Sequence, residues 1–275
     1  MPEDAVFCTK PEIALTQIRA TLDAGVSPCV VLADAGYGND TSFRTGLTEM
    51  GLTYVVGVQS SIRLWSPGTG PLPPKPWSGR GRPPSLVRRQ PGHSPVSARE
   101  LAQALPENAW RRITWREGSG VPLASRFAAV RVRPAHRDYW RSEPRAEEWF
   151  LIEWPQGEVE PTKYWLSSLP EDTEIADLVG QAKLRWRIER DYQELKQEIG
   201  LGHYEGRGWR GFHHHATLAI AAYGFLISER SSIPPSAPGS VPPLTVPALP
   251  EGYRPRGGPV PSRTPRQQLH RHHQD

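Results

Sequence analysis

The chain has 275 residues, of which 37% are hydrophobic, so it can build a core and is not disordered throughout. It contains no run of 18 apolar residues and starts with acidic and polar residues, which argues against a transmembrane helix and a signal peptide. The formal net charge of +4 suits a polyanionic partner without requiring one.

The two cysteines, Cys8 and Cys29, bear on the compartment. Cys29 begins an apolar run, so we expect a reduced, buried thiol and a cytoplasmic protein rather than a secreted one with a disulfide.

Residues 1–60 alternate between helical and strand patterns. The sequence predicts a helix over 11–24, a buried strand over 29–33, a helix from 40 or 41 to 50, and a second buried strand over 53–58. The first strand stops at Asp34, directly before a glycine-rich turn. This order predicts an α/β fold with a mainly parallel sheet.

Residues 61–97 contain no Asp or Glu and are rich in proline, glycine and arginine, which indicates a basic linker or excursion. Within it, Arg80 and Arg82 flank a glycine and could form a hook in the DNA minor groove. A flexible basic linker is the alternative, and either one permits phosphate contacts.

Residues 98–169 are predicted to form a β-rich insertion after a short helix over 97–105. Its expected strands are 111–115, 128–132, 149–154 and 163–168. Three of its tryptophans could stack on an unpaired DNA base or pack across strands: Trp149, Trp154 and Trp165.

Residues 170–230 return to a helical pattern. We expect one long helix from 170 to 200 and a second over 212–229, which is apolar almost all round and should pack against the main sheet. Residues 231–275 are rich in proline, serine and glycine and then basic, so we predict a disordered tail.

Glu189 lies on the predicted long helix. At 100° per residue, Arg185 and Lys196 fall within roughly 40° of its direction, so a carboxylate sits between two cations on one face. A solvated salt-bridge face is the structural alternative. For Asp34, the structural alternative is a turn-forming aspartate before glycines.

Two motifs in the right order carry a resemblance to a known family. Arg185, Glu189 and Lys196, followed by the segments 200–207 and 209–215, closely resemble the C-terminal signature of DDE-type transposases of bacterial insertion sequences. Residues 31–38 are similar to the segment around the second catalytic aspartate of that family.

The resemblance implies a ribonuclease-H-like fold in which Asp34 and Glu189 are two of three carboxylates that bind Mg²⁺ or Mn²⁺. It also implies double-stranded DNA as partner, both element ends and target, with metal-dependent strand cleavage and transfer. The expected DNA-phosphate contacts are all basic residues near the proposed site: Arg185, Arg187, Arg190, Lys196, Arg207 and Arg210.

The chain departs from the family pattern at two points. Ala182 stands where the family usually has a tyrosine. No strand aspartate precedes Asp34, because Asp4 is in an entry tail and Asp23 at a helix end.

From these departures we expect an incomplete ribonuclease-H-like domain without its first three strands, a truncated and inactive copy with weak or absent metal binding. The rival hypothesis is a non-catalytic remnant that binds DNA, or dimerises and pairs with a full-length transposase. A metal-dependent nuclease that uses another carboxylate is a third hypothesis.

Overall fold

The computed structural model of the protein describes residues 7–115 and 122–232. Contacts within the protein divide the chain into two units, residues 1–224 and 225–275. Asp34 and Glu189 both belong to the first unit. The predicted disordered tail lies outside the described residues, apart from its first two residues, which end the last helix.

The first half of the fold follows the local sequence closely. Helix α1 (Lys10–Asp23) starts with a capping box, in which Thr9 and Glu12 bond each other's backbone N–H groups. The further elements up to the end of the second strand are β1 (Val31–Ala33), α2 (Ala35–Gly38), α3 (Thr41–Glu49) and β2 (Tyr54–Val58). The predicted order of helix, strand, helix and strand is therefore confirmed, with an extra turn of helix directly after Asp34.

The remaining elements complete a mixed α/β fold. The strands are β3 (Arg63–Trp65), β4 (Val96–Ser97), β5 (Arg111–Trp115), β6 (Leu123–Pro134), β7 (Glu148–Trp154) and β8 (Lys163–Ser167). The helices are α4 (Ala98–Gln103), α5 (Ile175–Lys183), α6 (Trp186–Gln197) and α7 (Trp209–Ser232).

The strands form one eight-stranded mixed sheet in the order β1-β2-β8-β7-β6-β3-β4, with β5 paired to β6. Only β1 and β2 pair in parallel among the described strands. The prediction of a mainly parallel sheet was wrong, because β2 pairs antiparallel with the distant β8 rather than with another α/β unit. Strands from the predicted insertion thus continue the sheet begun by β1 and β2. The predicted division of the chain into segments 1–60, 61–97, 98–169, 170–230 and 231–275 stays a prediction.

The sheet is buried on both faces, and β2 shows how. Val56 packs into the cluster beneath α3 and α4, whereas its neighbour Val55 packs on the other side with Leu178 of α5. Because successive side chains of a strand point to opposite faces, a run of apolar residues is what a doubly covered strand requires. The second face holds α5, and α5 leads directly into the helix that carries Glu189.

The predicted long helix over 170–200 is two helices. Between α5 and α6 the backbone bonds tighten: the N–H groups of Arg187 and Ile188 donate to carbonyls three residues back, at 3.0 and 3.1 Å. This break places Ala182 on α5 and Glu189 on α6.

Two further expectations about burial were wrong. The apolar helix α7 does not pack closely on the sheet, since Leu218 and Ile220 are 58% and 57% exposed and only Ala219 is buried among its described residues. Cys29 is an exposed free thiol, because the strand starts two residues later, at Val31. No helix in the described ranges combines the length and apolar character needed to cross a bilayer.

Candidate functional site

An open pocket of about 350 Å³ lies at the carboxyl ends of β1 and β2. Both carboxylates singled out from the sequence, Asp34 and Glu189, line it, although 155 positions separate them in the chain. Its other charged lining residues are Lys163, Lys183 and Arg185. The pocket therefore joins two carboxylates to three cations at the edge of the sheet where β1 ends.

Asp34 is held at the end of β1 by its own turn. Its Oδ1 accepts a hydrogen bond of 2.9 Å from the Gly36 N–H, and its carbonyl accepts from Tyr37 and Gly38, so it caps the short helix α2. The turn-forming role weighed from the sequence is therefore present. Oδ2 has no hydrogen-bond partner in the described part of the chain, and the side chain is exposed, so one oxygen is available to a ligand.

Two glycines fix the height of this turn above the sheet. A Cβ on Gly38 would collide with the Gly57 carbonyl oxygen and lie 3.0 Å from the Val56 Cβ, and a Cβ on Gly57 would lie 3.3 Å from the Ala35 nitrogen. Backbone therefore packs directly on backbone beneath Asp34. This close approach explains why the second glycine of the Gly36-Tyr37-Gly38 motif is a glycine.

Replacing Gly38 with alanine is expected to lower the free energy of unfolding by about 1–3 kcal/mol, since the added methyl group must push the turn away from β2. Thermal or urea denaturation measures the change. Gly180→Ala is the matched control, because nothing lies within 4 Å of a Cβ at this position in α5 and helix propensity favours alanine. Equal stability of wild type and Gly38→Ala would contradict the close packing.

Glu189 lies in the first turn of α6 and is 69% exposed. Arg185 donates to its Oε1 at 2.9 Å in an i,i+4 pair, as the helical spacing predicted. Such an exposed pair contributes little to stability, about 0.3–0.5 kcal/mol. Its effect here is to hold the Glu189 carboxylate at the pocket, with Oε2 unbonded among the described residues.

Lys183 is the pocket residue that the sequence did not reveal. Its Nζ lies 2.8 Å from both carboxylate oxygens of Glu153 on β7, and the two side chains are 9% and 5% exposed. The ammonium also sits 4.3 Å from the centre of the Trp115 ring. This buried pair anchors the last turn of α5 to the sheet, immediately before the break that leads to Glu189.

A second contact positions α6 from the other side. The Tyr223 hydroxyl of α7 donates to Asp191 at 2.9 Å and lies 3.3 Å from Glu194. Burial and the bond to Asp191 raise the pKa of Tyr223 to about 12. Helix α6 is therefore fixed at both ends of the turn that presents Glu189.

Among the predicted DNA contacts, Arg185 lines the pocket with the two carboxylates, and the others are exposed side chains outside its lining. Lys196 lies 5.7 Å from the Tyr192 ring centre, and Arg190 pairs with Glu194 at 3.1 Å. The remaining predicted contacts are exposed side chains on α6, around the start of α7 or in the 61–97 excursion: Arg187, Arg207, Arg210, Arg80 and Arg82.

The tryptophans of the predicted insertion are engaged in packing. Trp165 is 8% exposed and belongs to the core. Trp154 stands edge-on to Trp110 at 5.2 Å, and Trp149 lies over Arg131 and donates to the Pro170 carbonyl. Cross-strand packing, one of the two alternatives, accounts for all three rings.

Two hard oxygen donors in one pocket fit part of a divalent metal site, since Mg²⁺ prefers carboxylate oxygen. Asp34 and Glu189 each keep one oxygen without a protein hydrogen bond. Within residues 7–115 and 122–232, however, no group of three or more His, Cys, Asp or Glu side chains is arranged to hold a metal ion. The pocket thus offers two carboxylates that can contribute part of the oxygen shell of such an ion.

Comparison with known families gives one finding. Residues 1–121 match the family model described as DDE superfamily endonuclease, and no curated protein matches the chain. The matched stretch includes Asp34, β1 and β2 but ends before α6, so it supports the first of the two motifs. The match supports a DDE-type, transposase-like protein, and that family implies a DNA substrate and the use of divalent metals.

Proposed function

We propose that this chain, a DDE-type, transposase-like protein by its family match, carries part of a metal-dependent DNA strand-cleavage and strand-transfer site for insertion-sequence ends. The observation that carries the proposal is the meeting of Asp34 and Glu189 in one pocket, from two motifs far apart in the sequence. The pocket lies at the carboxyl ends of β1 and β2, and ligand sites of α/β sheets concentrate at that edge. This location favours a binding role for the two carboxylates over a chance meeting.

In this proposal Asp34 and Glu189 hold Mg²⁺ or Mn²⁺ through their free oxygens. When bound, such ions activate the attacking oxygen and stabilise the leaving oxygen of a phosphoryl transfer. Arg185 keeps the Glu189 carboxylate in place and shares the pocket with Lys163, so both cations can contact a DNA phosphate beside the metal. The exposed arginines and Lys196 extend this positive surface along α6 and α7.

The third metal ligand is proposed to come from a further polypeptide segment with strands of its own. Two features of the described residues support this proposal. Strand β1 pairs on one side only, with β2, which leaves a row of backbone groups for another strand. The apolar residues of α7 are exposed, as expected of a helix whose covering layer is missing.

A non-catalytic remnant that binds DNA or dimerises remains the second candidate. It is favoured by the incomplete ligand set among the described residues and by the exposed apolar side chains of α7. The two candidates differ in one respect: the remnant needs no metal at Asp34 and Glu189.

Manganese binding tests the proposed ligands. We expect the wild-type chain to bind Mn²⁺ weakly in a titration followed by the loss of the free-ion electron paramagnetic resonance signal. Asp34→Asn and Glu189→Gln should each weaken binding by roughly tenfold or more, because each removes one of two anionic ligands. Glu198→Gln, an exposed acid at the end of α6, is the matched control and should bind as wild type. Equal Mn²⁺ affinity in all four proteins, or none in the wild type, would favour the remnant.

A further inference from the structure

A second pocket has a volume of about 410 Å³, and the charged side chains that line it are all arginines: Arg44, Arg63, Arg89 and Arg137. His136 and Tyr139 are its other titratable lining residues. No carboxylate lines it, and the hydroxyls of Thr41 and Ser61 complete its polar wall. We propose that this pocket binds a phosphate group, and that the source is a backbone phosphate of the DNA strand that enters the Asp34–Glu189 pocket.

Arg44 is the buried base of the site. It is 5% exposed and donates to the Gly38 carbonyl and to the Thr41 hydroxyl, so its position is fixed by α2 and α3. Its Nε has no hydrogen-bond partner, and it makes no salt bridge with a carboxylate. Because Arg44 lines the pocket, its positive charge favours an anion bound there.

Not all of the positive charge is already neutralised. Arg89 pairs with the buried Asp138 and Arg63 lies 3.5 Å from Glu100, so these two arginines shape the wall with little net charge. Arg137 has no salt-bridge partner within the described residues. Arg137 thus leaves about one positive charge at the exposed rim of the pocket, which matches the single negative charge of a DNA backbone phosphate.

The electrostatics of His136 agree with an electropositive pocket. Burial lowers the pKa of His136, and the charges of Arg137, Arg145 and Arg44 lower it further. Burial raises the pKa of Glu148, a β7 carboxyl that interacts with Arg44. The imidazole is therefore neutral at pH 7 and can donate one hydrogen bond to a phosphate oxygen.

Arg137 is held in an unusual backbone conformation. Its φ is 52°, and it is the one non-glycine residue with positive φ in the described ranges. Left-handed backbone is disfavoured for arginine, whereas asparagine adopts it several times more often. An arginine kept here at a conformational cost is consistent with a ligand contact. Because asparagine adopts this backbone conformation readily, Arg137→Asn should remove the charge without disturbing the turn.

The two pockets flank the loop that follows β2. Val58 lines the first pocket and Ser61 the second, so they lie within roughly 11 Å of each other along the chain. The Gln59 N–H donates to the Asn39 side chain at 2.9 Å, which ties this loop to the turn between α2 and α3. A DNA strand carries a phosphate every 3.4 Å of helix axis, so a strand in the first pocket can place another phosphate in the second. This step rests on the proposed function.

The test uses the full chain and compares Arg137→Asn with Arg19→Gln, which removes the same charge from an exposed position on α1. Binding of a fluorescent 30-base-pair duplex is measured by anisotropy across a salt series. Losing one phosphate contact should reduce the slope of log K against log salt by about 1 in Arg137→Asn and leave it unchanged in Arg19→Gln. Ser61→Glu, which adds an acid at the exposed rim, should also weaken DNA binding.

A second arm separates the sources of the phosphate and also separates failure of this site from failure of the proposed function. Inorganic phosphate is titrated while the His136 ring signals are followed by NMR. If phosphate shifts these signals in the wild type but not in Arg137→Asn, while DNA binding is the same in both, the ligand is a small phosphorylated molecule and the DNA source is wrong. If Arg137→Asn alters neither DNA binding nor phosphate binding, the site is overturned, whatever the Mn²⁺ titration shows for Asp34 and Glu189.

Discussion

Replacing Lys183 with methionine is expected to lower the free energy of unfolding by about 3–5 kcal/mol, because it leaves the Glu153 carboxylate buried without its counterion. The ammonium lies 2.8 Å from both carboxylate oxygens, and both side chains are almost fully buried. The substitution also removes the contact between the charge and the Trp115 ring. Urea denaturation followed by circular dichroism measures the loss.

Two comparisons sharpen this experiment. The double variant Lys183→Met with Glu153→Leu should recover most of the stability, since replacing a buried pair with apolar groups is often neutral. Arg190→Met breaks the exposed pair with Glu194 and should cost less than about 1 kcal/mol. A cost below about 1 kcal/mol for Lys183→Met itself would contradict a desolvated ion pair beneath the pocket.

The sequence predicted the parts of the fold that local signals determine. The apolar run before Asp34 and the helix start at residue 40 or 41 are signals that act over three or four residues, and the elements they mark are present. The Arg185–Glu189 pair was likewise predictable from helical spacing. The co-location of Asp34 and Glu189 followed from the family resemblance, because no local pattern links positions so far apart.

Long-range pairing accounts for most of what the sequence did not predict. The antiparallel pairing of Val56 with Leu166 depends on a strand 110 positions away, so the alternation of the first 60 residues suggested a parallel sheet instead. The break before α6 does not interrupt the helical spacing of the apolar residues, so that spacing could not predict it. Lys183 was missed for a related reason: its partner Glu153 lies on a strand, and a single lysine in a helix resembles any solvated charge.

The second large effect concerns chemistry. Asp34→Asn and Glu189→Gln are each expected to reduce to background the Mg²⁺-dependent DNA nicking that a supplied third carboxylate makes possible, because each loses an anionic charge proposed to hold the metal. Both variants should remain folded. Asparagine can still accept the hydrogen bond from the Gly36 N–H that caps α2, and Glu189 is largely exposed. Glu198→Gln, which removes an exposed charge from the end of α6, should nick as the wild type does.

The most direct measurement is nicking of duplex DNA that carries the element ends, with Mg²⁺ or with EDTA. The chain is tested alone and together with a candidate polypeptide segment that carries a further strand aspartate. We expect Mg²⁺-dependent nicking when the added segment supplies a third carboxylate, and its loss in both Asp34→Asn and Glu189→Gln. Nicking that persists unchanged in both variants would contradict the assignment of Asp34 and Glu189 as the metal ligands.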